Sequence, residues 1–298
     1  MELKKVTDNV SYIANATNLG VINDGHQAIL VDSGLDDDTG RRVLKILVDN
    51  GLKLVAVINT HAHADHCGAN NFLIERTGAA FYAPEIEADI IQHPLIQPLA
   101  FFSFANPLEE LKNKFMMSKP SRIDWVIDSK QPSLAISGFE LKVVALPGHS
   151  INQIGLEYGG VLFCADSLLS KELLAKHRLP VNFDVDKQMA TLSFLQSSHY
   201  QFYIPSHVTP GPDLSDILKV NLQHMVDTRD CIYQLLDQPY STDELLRKFF
   251  DALKIELKGV QHYFLLRSAA LAYLSSLARE GKIKPAVEGN SLLWARVH

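Results

Sequence analysis

Apolar positions recur along this chain at two spacings, and the spacing sorts it into strands and helices. Val10–Ala14, Leu19–Asn23 and residues 27–32 are short runs rich in branched side chains, and Asp24-Gly25 between the last two reads as a hairpin turn. Residues 41–50 carry helical spacing closed by Gly51. Lys53–Ile58 is apolar after its first residue, as a strand buried on both faces is. It ends in His61-Ala62-His63-Ala64-Asp65-His66. A helix over about 68–77 and a strand near 80–83 follow, so the first third reads as hairpins feeding a strand–loop–helix–strand unit.

A second version of this construction begins near Ser133. Residues 134–136 and 139–146 flank Ser137-Gly138, and the second of these strands ends in Pro147-Gly148-His149. Residues 153–158 and 161–164 flank Gly159-Gly160, and that strand is expected to end at Asp166. A helix over 186–197 leads to a strand over 202–205 that ends at His207. Separate strand ends therefore deliver His or Asp again and again. Between the two halves, residues 84–130 set Phe101, Phe102, Phe104, Phe115, Met116, Met117 and Trp125 among prolines. This reads as a helical excursion whose apolar face packs on the main domain or a partner subunit, and which also suits a lid or wall of a pocket.

Past Ser215 the pattern changes. Residues 216–236 form a long amphipathic helix, broken at Asp237-Gln238-Pro239, and Ser241-Thr242-Asp243-Glu244 reads as a capping box. Leu266, Ala269, Ala270, Tyr273, Leu274 and Leu277 recur at helical spacing before Gly281, and 282–297 reads as a hairpin turning at Glu288-Gly289-Asn290. Helix, helix, hairpin is a winged-helix plan. The expected division is a domain over 1–213 and a long helix plus winged-helix-like module over 214–298.

Composition changes this picture little. A chain of 298 residues, 47% apolar and 21% charged, is ordinary globular protein. A net charge of -6 argues against nucleic acid as the main partner. Nine Lys/Arg against six Asp/Glu over 241–298 is too slight an excess for a DNA reader, so packing or homodimerisation is the expected use of that module. The start of the chain shows no apolar leader core, and no run of roughly eighteen apolar residues is present to span a membrane. Three scattered cysteines make no disulfide framework. A reduced, cytoplasmic protein acting on a small molecule is expected.

The chemistry lies in the histidines. In an extended segment His61, His63 and Asp65 project to one side, with alanines between them leaving room, while His66 enters from the following helix. Imidazole with carboxylate suits zinc, iron or manganese rather than calcium or magnesium. Together with Pro147-Gly148-His149, Ala165-Asp166 and Ser206-His207, this cluster resembles the ligand-bearing motifs of the metallo-β-lactamase fold superfamily, and residues 19–34 fit that superfamily's N-terminal hairpins. The resemblance covers roughly 1–212. It implies an α/β fold, a four-layer αββα sandwich with metals along one edge of its sheets. It further implies a first metal on His61, His63 and His149, a second on Asp65, His66 and His207, and Asp166 bridging them.

The full Asp-His pair favours a hydrolase with two divalent ions, zinc first, with iron or manganese as alternatives. Relatives doing redox chemistry with two irons often carry Glu where His63 stands. β-Lactam-hydrolysing relatives usually lack the Asp65-like residue with a bridging Asp. The ions would share a water and lower its pKa from about 15.7 toward neutrality, with Asp65 orienting the hydroxide or shuttling a proton. Within the family the chain is similar to the glyoxalase-II-like branch, which implies a small thioester or ester substrate. A single-stranded-RNA nuclease or phosphodiesterase is one alternative. A mononuclear-iron persulfide dioxygenase using His61, His149 and Asp166 is another. Asp32, at a strand end, is the expected support for an imidazole. Cys67 reads as a packed small side chain and Cys164 as core. His26, His93, His177, His199, His224, His262 and His298 read as surface or satisfied core residues, His177 alone near a pocket rim.

Overall fold

Residues 1–297 are described by a computed structural model, in which two sheets stack face to face. The first sheet takes β1 (Glu2–Lys5), β2 (Val10–Ala14), β3 (Leu19–Asn23) and β4 (Gln27–Val31) as an antiparallel meander. It continues in parallel through β5 (Lys53–Ile58), β6 (Ala80–Pro84) and β7 (Trp125–Ile127). The crossovers carry α1 (Asp37–Asp49), then α2 (Ala64–Cys67) and α3 (Asn70–Arg76), then α4 (Glu87–Gln92), α5 (Ile96–Phe101) and a 3-10 turn at Glu109–Leu111. The second sheet contains β8 (Ser133–Ile136), β9 (Phe139–Ala145), β10 (Ile154–Tyr158), β11 (Val161–Leu169) and β12 (Phe202–His207), in the order β12-β11-β10-β9-β8. Between β11 and its parallel neighbour β12 lie α6 (Lys171–His177) and α7 (Val185–Ser197).

Strand periodicity builds the layers. Ile29 and Val31 face inward with Ile22 and Ile58 against Phe139, Leu156 and Phe163 of the other sheet, while Leu30 between them faces α1 and α3 through Val43, Leu47 and Phe72. In β11, Phe163 points into the inter-sheet core, whereas Leu162 and Cys164 pack outward with Leu192 and Leu195 of α7 and Leu218 of α8 (Ser215–Gln234). Helix, sheet, sheet, helix is the expected sandwich.

The outer cluster continues without a break into the C-terminal elements. These are β13 (Tyr240–Ser241), α9 (Thr242–Ala252), α10 (Val260–Arg279), β14 (Ile283–Glu288) and β15 (Ser291–Arg296), which contribute Leu245, Phe249, Tyr273, Leu274 and Trp294. The expected capping box opens α9, with Ser241 and Glu244 each bonding the other's backbone N–H. Gly289 and Asn290, at φ 55° and 61°, turn the hairpin.

Four local expectations are corrected. The helix expected over 68–77 is α3, and a separate one-turn helix, α2, precedes it; between them lies Gly68, where a Cβ would meet the Leu35 carbonyl oxygen at 1.9 Å. The excursion at 84–130 is helical only in part and ends in β7, an edge strand of the first sheet. The strand expected to end at Asp166 runs to Leu169 through an irregularity at Ala165. The stretch before α7 contains a further helix, α6. No helix is long and apolar enough to cross a membrane among the described residues.

Candidate metal centre

The candidate donors sit where strands of the two sheets end or kink, except Asp65 and His66, which lie in the short helix α2 that follows β5. His61 lies in a bend after β5 and His63 on extended backbone just beyond it, His149 lies in the loop after β9, and His207 is the last residue of β12. The segment curls into a helix at Ala64, earlier than expected. The His63 carbonyl accepts from the amides of His66 (2.9 Å) and Cys67 (3.2 Å), so Asp65 lies inside α2 with His66 and not on an extended run. Ala165, at φ 49°, marks the shift in register that aims Asp166 at the same place. Gly148, at φ 133°, lets the His149 loop abut α7, since a Cβ there would meet the Gln188 amide nitrogen at 2.3 Å.

The seven residues come together as two groups. Donor atoms of His61, His63, His149 and Asp166 all lie within 4.8 Å of one another, and so do those of Asp65, His66, Asp166 and His207. Asp166 belongs to both. His63 Nδ1 is 3.0 Å from His61 Nε2 and 2.9 Å from His149 Nε2. His66 Nε2 is 3.1 Å from Asp166 Oδ1, and His207 Nε2 is 3.2 Å from Asp166 Oδ2 and 3.3 Å from Asp65 Oδ2. The face is open only on one side: Asp65 is 35% exposed, whereas His61 and His66 are fully buried.

Hydrogen bonds behind the centre decide which nitrogens face inward. The Thr60 hydroxyl has one proton, and it goes to Asp32 Oδ2 at 2.8 Å. Thr60 Oγ1 therefore accepts from His61 Nδ1 (3.0 Å), which leaves His61 Nε2 as a bare lone pair. His66 Nδ1 donates to Asp32 Oδ2 (2.8 Å) and His207 Nδ1 to the Ala16 carbonyl (3.1 Å), so both Nε2 atoms also point inward unprotonated when the rings are neutral. Asp32 thus stands where it was expected, behind His66, and it reaches His61 through Thr60.

The cluster is short of positive charge. Of the three nitrogens of His61, His63 and His149, only His63 Nδ1 and His149 Nε2 are open to a proton, and one N–H has one direction, so at least one is left without a donor. His66 Nε2 and Asp166 Oδ1 are buried 3.1 Å apart, with no well-formed hydrogen bond between them or to any other described residue. Burial pushes His61, His63 and His149 down, the last to about 3. Burial also opposes a charge on His66 and His207, but Asp166 and Asp65 outweigh it and raise both, His207 to about 10. Burial alone would raise Asp65 and Asp166; the imidazolium charges beside them hold both below the usual carboxylate range. A cation bound by each group would satisfy the inward lone pairs and replace the protons on His66 and His207. Around one tetrahedral zinc, ligand nitrogens stand roughly 3.3 Å apart, close to the separations found here. The residues fit such ions.

Two supporting residues carried no sequence signal. Thr17 donates its hydroxyl to Asp65 Oδ2 (2.9 Å). Glu87 is 1% exposed and accepts from the Ala62 amide (2.9 Å), the Ser150 hydroxyl (2.7 Å) and the Asn152 amide (3.0 Å), tying the His61–His63 segment to the His149 loop. The Cys67 thiol points at the Ala62 and His63 carbonyls and away from the donors, and burial pushes it up to about 12. His177 is exposed at the end of α6 and belongs to neither group. His224 departs from expectation: its Nε2 is buried without a partner among the described residues, as are Gln188 Oε1 and Tyr273 OH, around a cavity of ≈ 20 Å³ that backs onto His149 and Asp166. His298 lies outside the described residues.

This fold and this clustering of donors define a metallo-beta-lactamase-type protein. The metallo-beta-lactamase superfamily model matches residues 13–207, and the chain belongs to that family. The hydroxyacylglutathione hydrolase of Shewanella pealeana is 30% identical over 139 residues, 46% of this chain and 41% of that protein. The probable metallo-hydrolase YflN of Bacillus subtilis is 26% identical over 203 residues, 62% of this chain and 75% of that protein. The chain spans about half the length of the hydroxyacylglutathione hydrolases it matches, 41% to 52%. A metallo-beta-lactamase family protein of Thermus thermophilus has the same fold at a TM-score of 0.73 and 20% identity, covering 98% of this chain and 99% of that one. The fold likeness therefore extends past residue 207 through the C-terminal elements.

If Asp32 orients the imidazoles as its bonds indicate, Asp32→Asn should weaken metal affinity by roughly 10- to 100-fold while the fold is kept. Competition against a chromogenic chelator measures this; unchanged affinity would assign Asp32 to folding alone.

Proposed function

We propose that this protein hydrolyses small thioesters or esters through a pair of divalent cations, zinc foremost. His61, His63, His149 and Asp166 would hold one, and Asp65, His66, His207 and Asp166 the other. The observation that carries this reading is the pair of donor groups sharing Asp166, with inward lone pairs set by Asp32, Thr60 and the Ala16 carbonyl. Mixed nitrogen and carboxylate sets suit zinc. Bound there, the ions supply two things, a water whose pKa is lowered toward neutrality and positive charge for a developing oxyanion.

The chain's own residues do the rest. Thr17 and His207 both meet Asp65 at Oδ2, which leaves Oδ1 to take a proton from the attacking water and pass it to the leaving thiol or alcohol. Glu87 keeps the two histidine-bearing segments in register. The fully buried imidazoles exclude water from the inner face, so attack comes from the Asp65 and His207 side. Similarity to hydroxyacylglutathione hydrolases favours a thioester, and a family resemblance alone would not choose it.

Metal-quantified protein assayed on thioesters, lactones, phosphodiesters and RNA tests the reading. Turnover of thioesters with two divalent ions per chain is expected. Hydrolysis of RNA alone, or one iron per chain with oxygen uptake, would replace it. In the same assay Asp65→Asn should lower kcat by about 10²-fold with an unchanged melting profile; undiminished kcat would remove Asp65 from proton transfer.

A further inference from the structure

A pocket of ≈ 490 Å³ opens on Asp65 and His207, within the usual size of a small-molecule site. Its walls are Leu35 from the loop after β4, Leu173 of α6, Ala16, and Phe115 from the 84–130 excursion, with uncharged Asn15, Thr17 and Thr39 between them. Phe115 is 64% exposed, a large ring left facing the opening. It is held there from the far side: its amide donates to Asn113 Oδ1 (3.0 Å), and Asn113 Nδ2 donates to Gln261 of α10 (2.7 Å). Lys114 and Lys119 tie the same stretch to α1 through Asp36 (3.1 Å) and Asp37 (2.6 Å).

Among the described residues, no lysine or arginine lines this pocket. Those two neighbouring lysines are already paired with carboxylates. Lys171, Arg178 and Lys254 line a separate groove with Leu174 and Ala175, along the other stripe of α6. Arg178 is engaged with the Leu253 and Lys254 carbonyls (2.8 and 3.0 Å). Beyond the metal centre, an anionic group lying along these walls would meet no lysine or arginine partner, and desolvating an unpaired carboxylate is costly. Glutathione carries two carboxylates.

Resting on the hydrolase reading, we propose that the pocket receives an uncharged apolar acyl chain of several carbons, not an anionic peptide thiol, and that Phe115 and Leu173 set this specificity. Each buried methylene contributes about 0.8 kcal/mol, close to fourfold in kcat/KM. In this partly open pocket hexanoyl should exceed acetyl by roughly 10- to 100-fold.

The test uses the metal-loaded full chain with acetyl, butyryl and hexanoyl thioesters of N-acetylcysteamine, and with S-lactoylglutathione. A rising acyl series that flattens in Phe115→Ser and in Leu173→Ser supports the assignment. A flat series, or faster turnover of the glutathione thioester than of the hexanoyl one, overturns it and leaves the hydrolase reading standing. If no thioester is turned over, that reading falls, and calorimetric titration with the corresponding amides judges the pocket separately. Tighter binding with each added methylene supports the pocket assignment, and affinity independent of chain length overturns it.

Discussion

Asp166→Asn should cost at least about 10⁴-fold in kcat/KM, some 5–6 kcal/mol of transition-state stabilisation, and should lower metal content below two ions per chain. The size follows from position. Asp166 is the one side chain common to both donor groups, 6% exposed, and its two oxygens face His66 on one side and His207 and His149 on the other. Asparagine keeps the shape but removes the charge and one acceptor, so one ion would lose a ligand oxygen and both would lose the field that makes each site attractive. The variant should stay folded, because the backbone at Ala165 and Asp166 is fixed by β11 and β12 on either side of the irregularity. Metal analysis with a melting curve separates this from unfolding. Full activity with two ions bound would mean that Asp166 is not shared.

Removing residues 237–298 should abolish soluble expression or convert the protein to aggregates. The outer face of the second sheet and α8 would lose Leu245, Phe249, Tyr273, Leu274 and Trp294 from one continuous apolar cluster, exposing Leu218, Met225 and Ile232. Polar ties would go as well: Arg279 of α10 donates to Asp184 (3.0 Å) and Asp186 (2.7 Å) at the start of α7, and the Asp184 amide donates to the Gly148 carbonyl beside His149 (3.0 Å). A milder form is Phe249→Ala, fully buried, for which about 3–5 kcal/mol is expected from denaturant titration. That is a large share of a typical domain's stability. A soluble, monodisperse, fully active truncation would show the C-terminal elements to be an appendage.

The sequence made the donors legible for a physical reason. Metal ligands are a few residue types at short fixed spacing, and strand ends show as the points where apolar runs stop, so His61, His63, His149 and His207 announce themselves. What lay beyond reach depends on contacts distant in the chain. Glu87 meets its three donors only after the 84–130 excursion folds back on the His149 loop, and nothing around Ile86 and Glu87 marks it. Thr17 likewise meets Asp65 across 48 residues. Short elements escape periodicity altogether: β7 has three residues and α2 a single turn, too few to repeat a pattern. Gly68, between α2 and α3, packs against the Leu35 carbonyl with no room for a Cβ, a constraint visible only once the loop after β4 is placed.

Diffraction from zinc-loaded crystals, collected at the zinc absorption edge, would test the metal pair most directly. Two anomalous peaks per chain are predicted. One should lie about 2.0–2.2 Å from the His61, His63 and His149 nitrogens, the other at similar distance from Asp65, His66 and His207, with Asp166 touching both. A single peak, or peaks away from these side chains, would contradict the account.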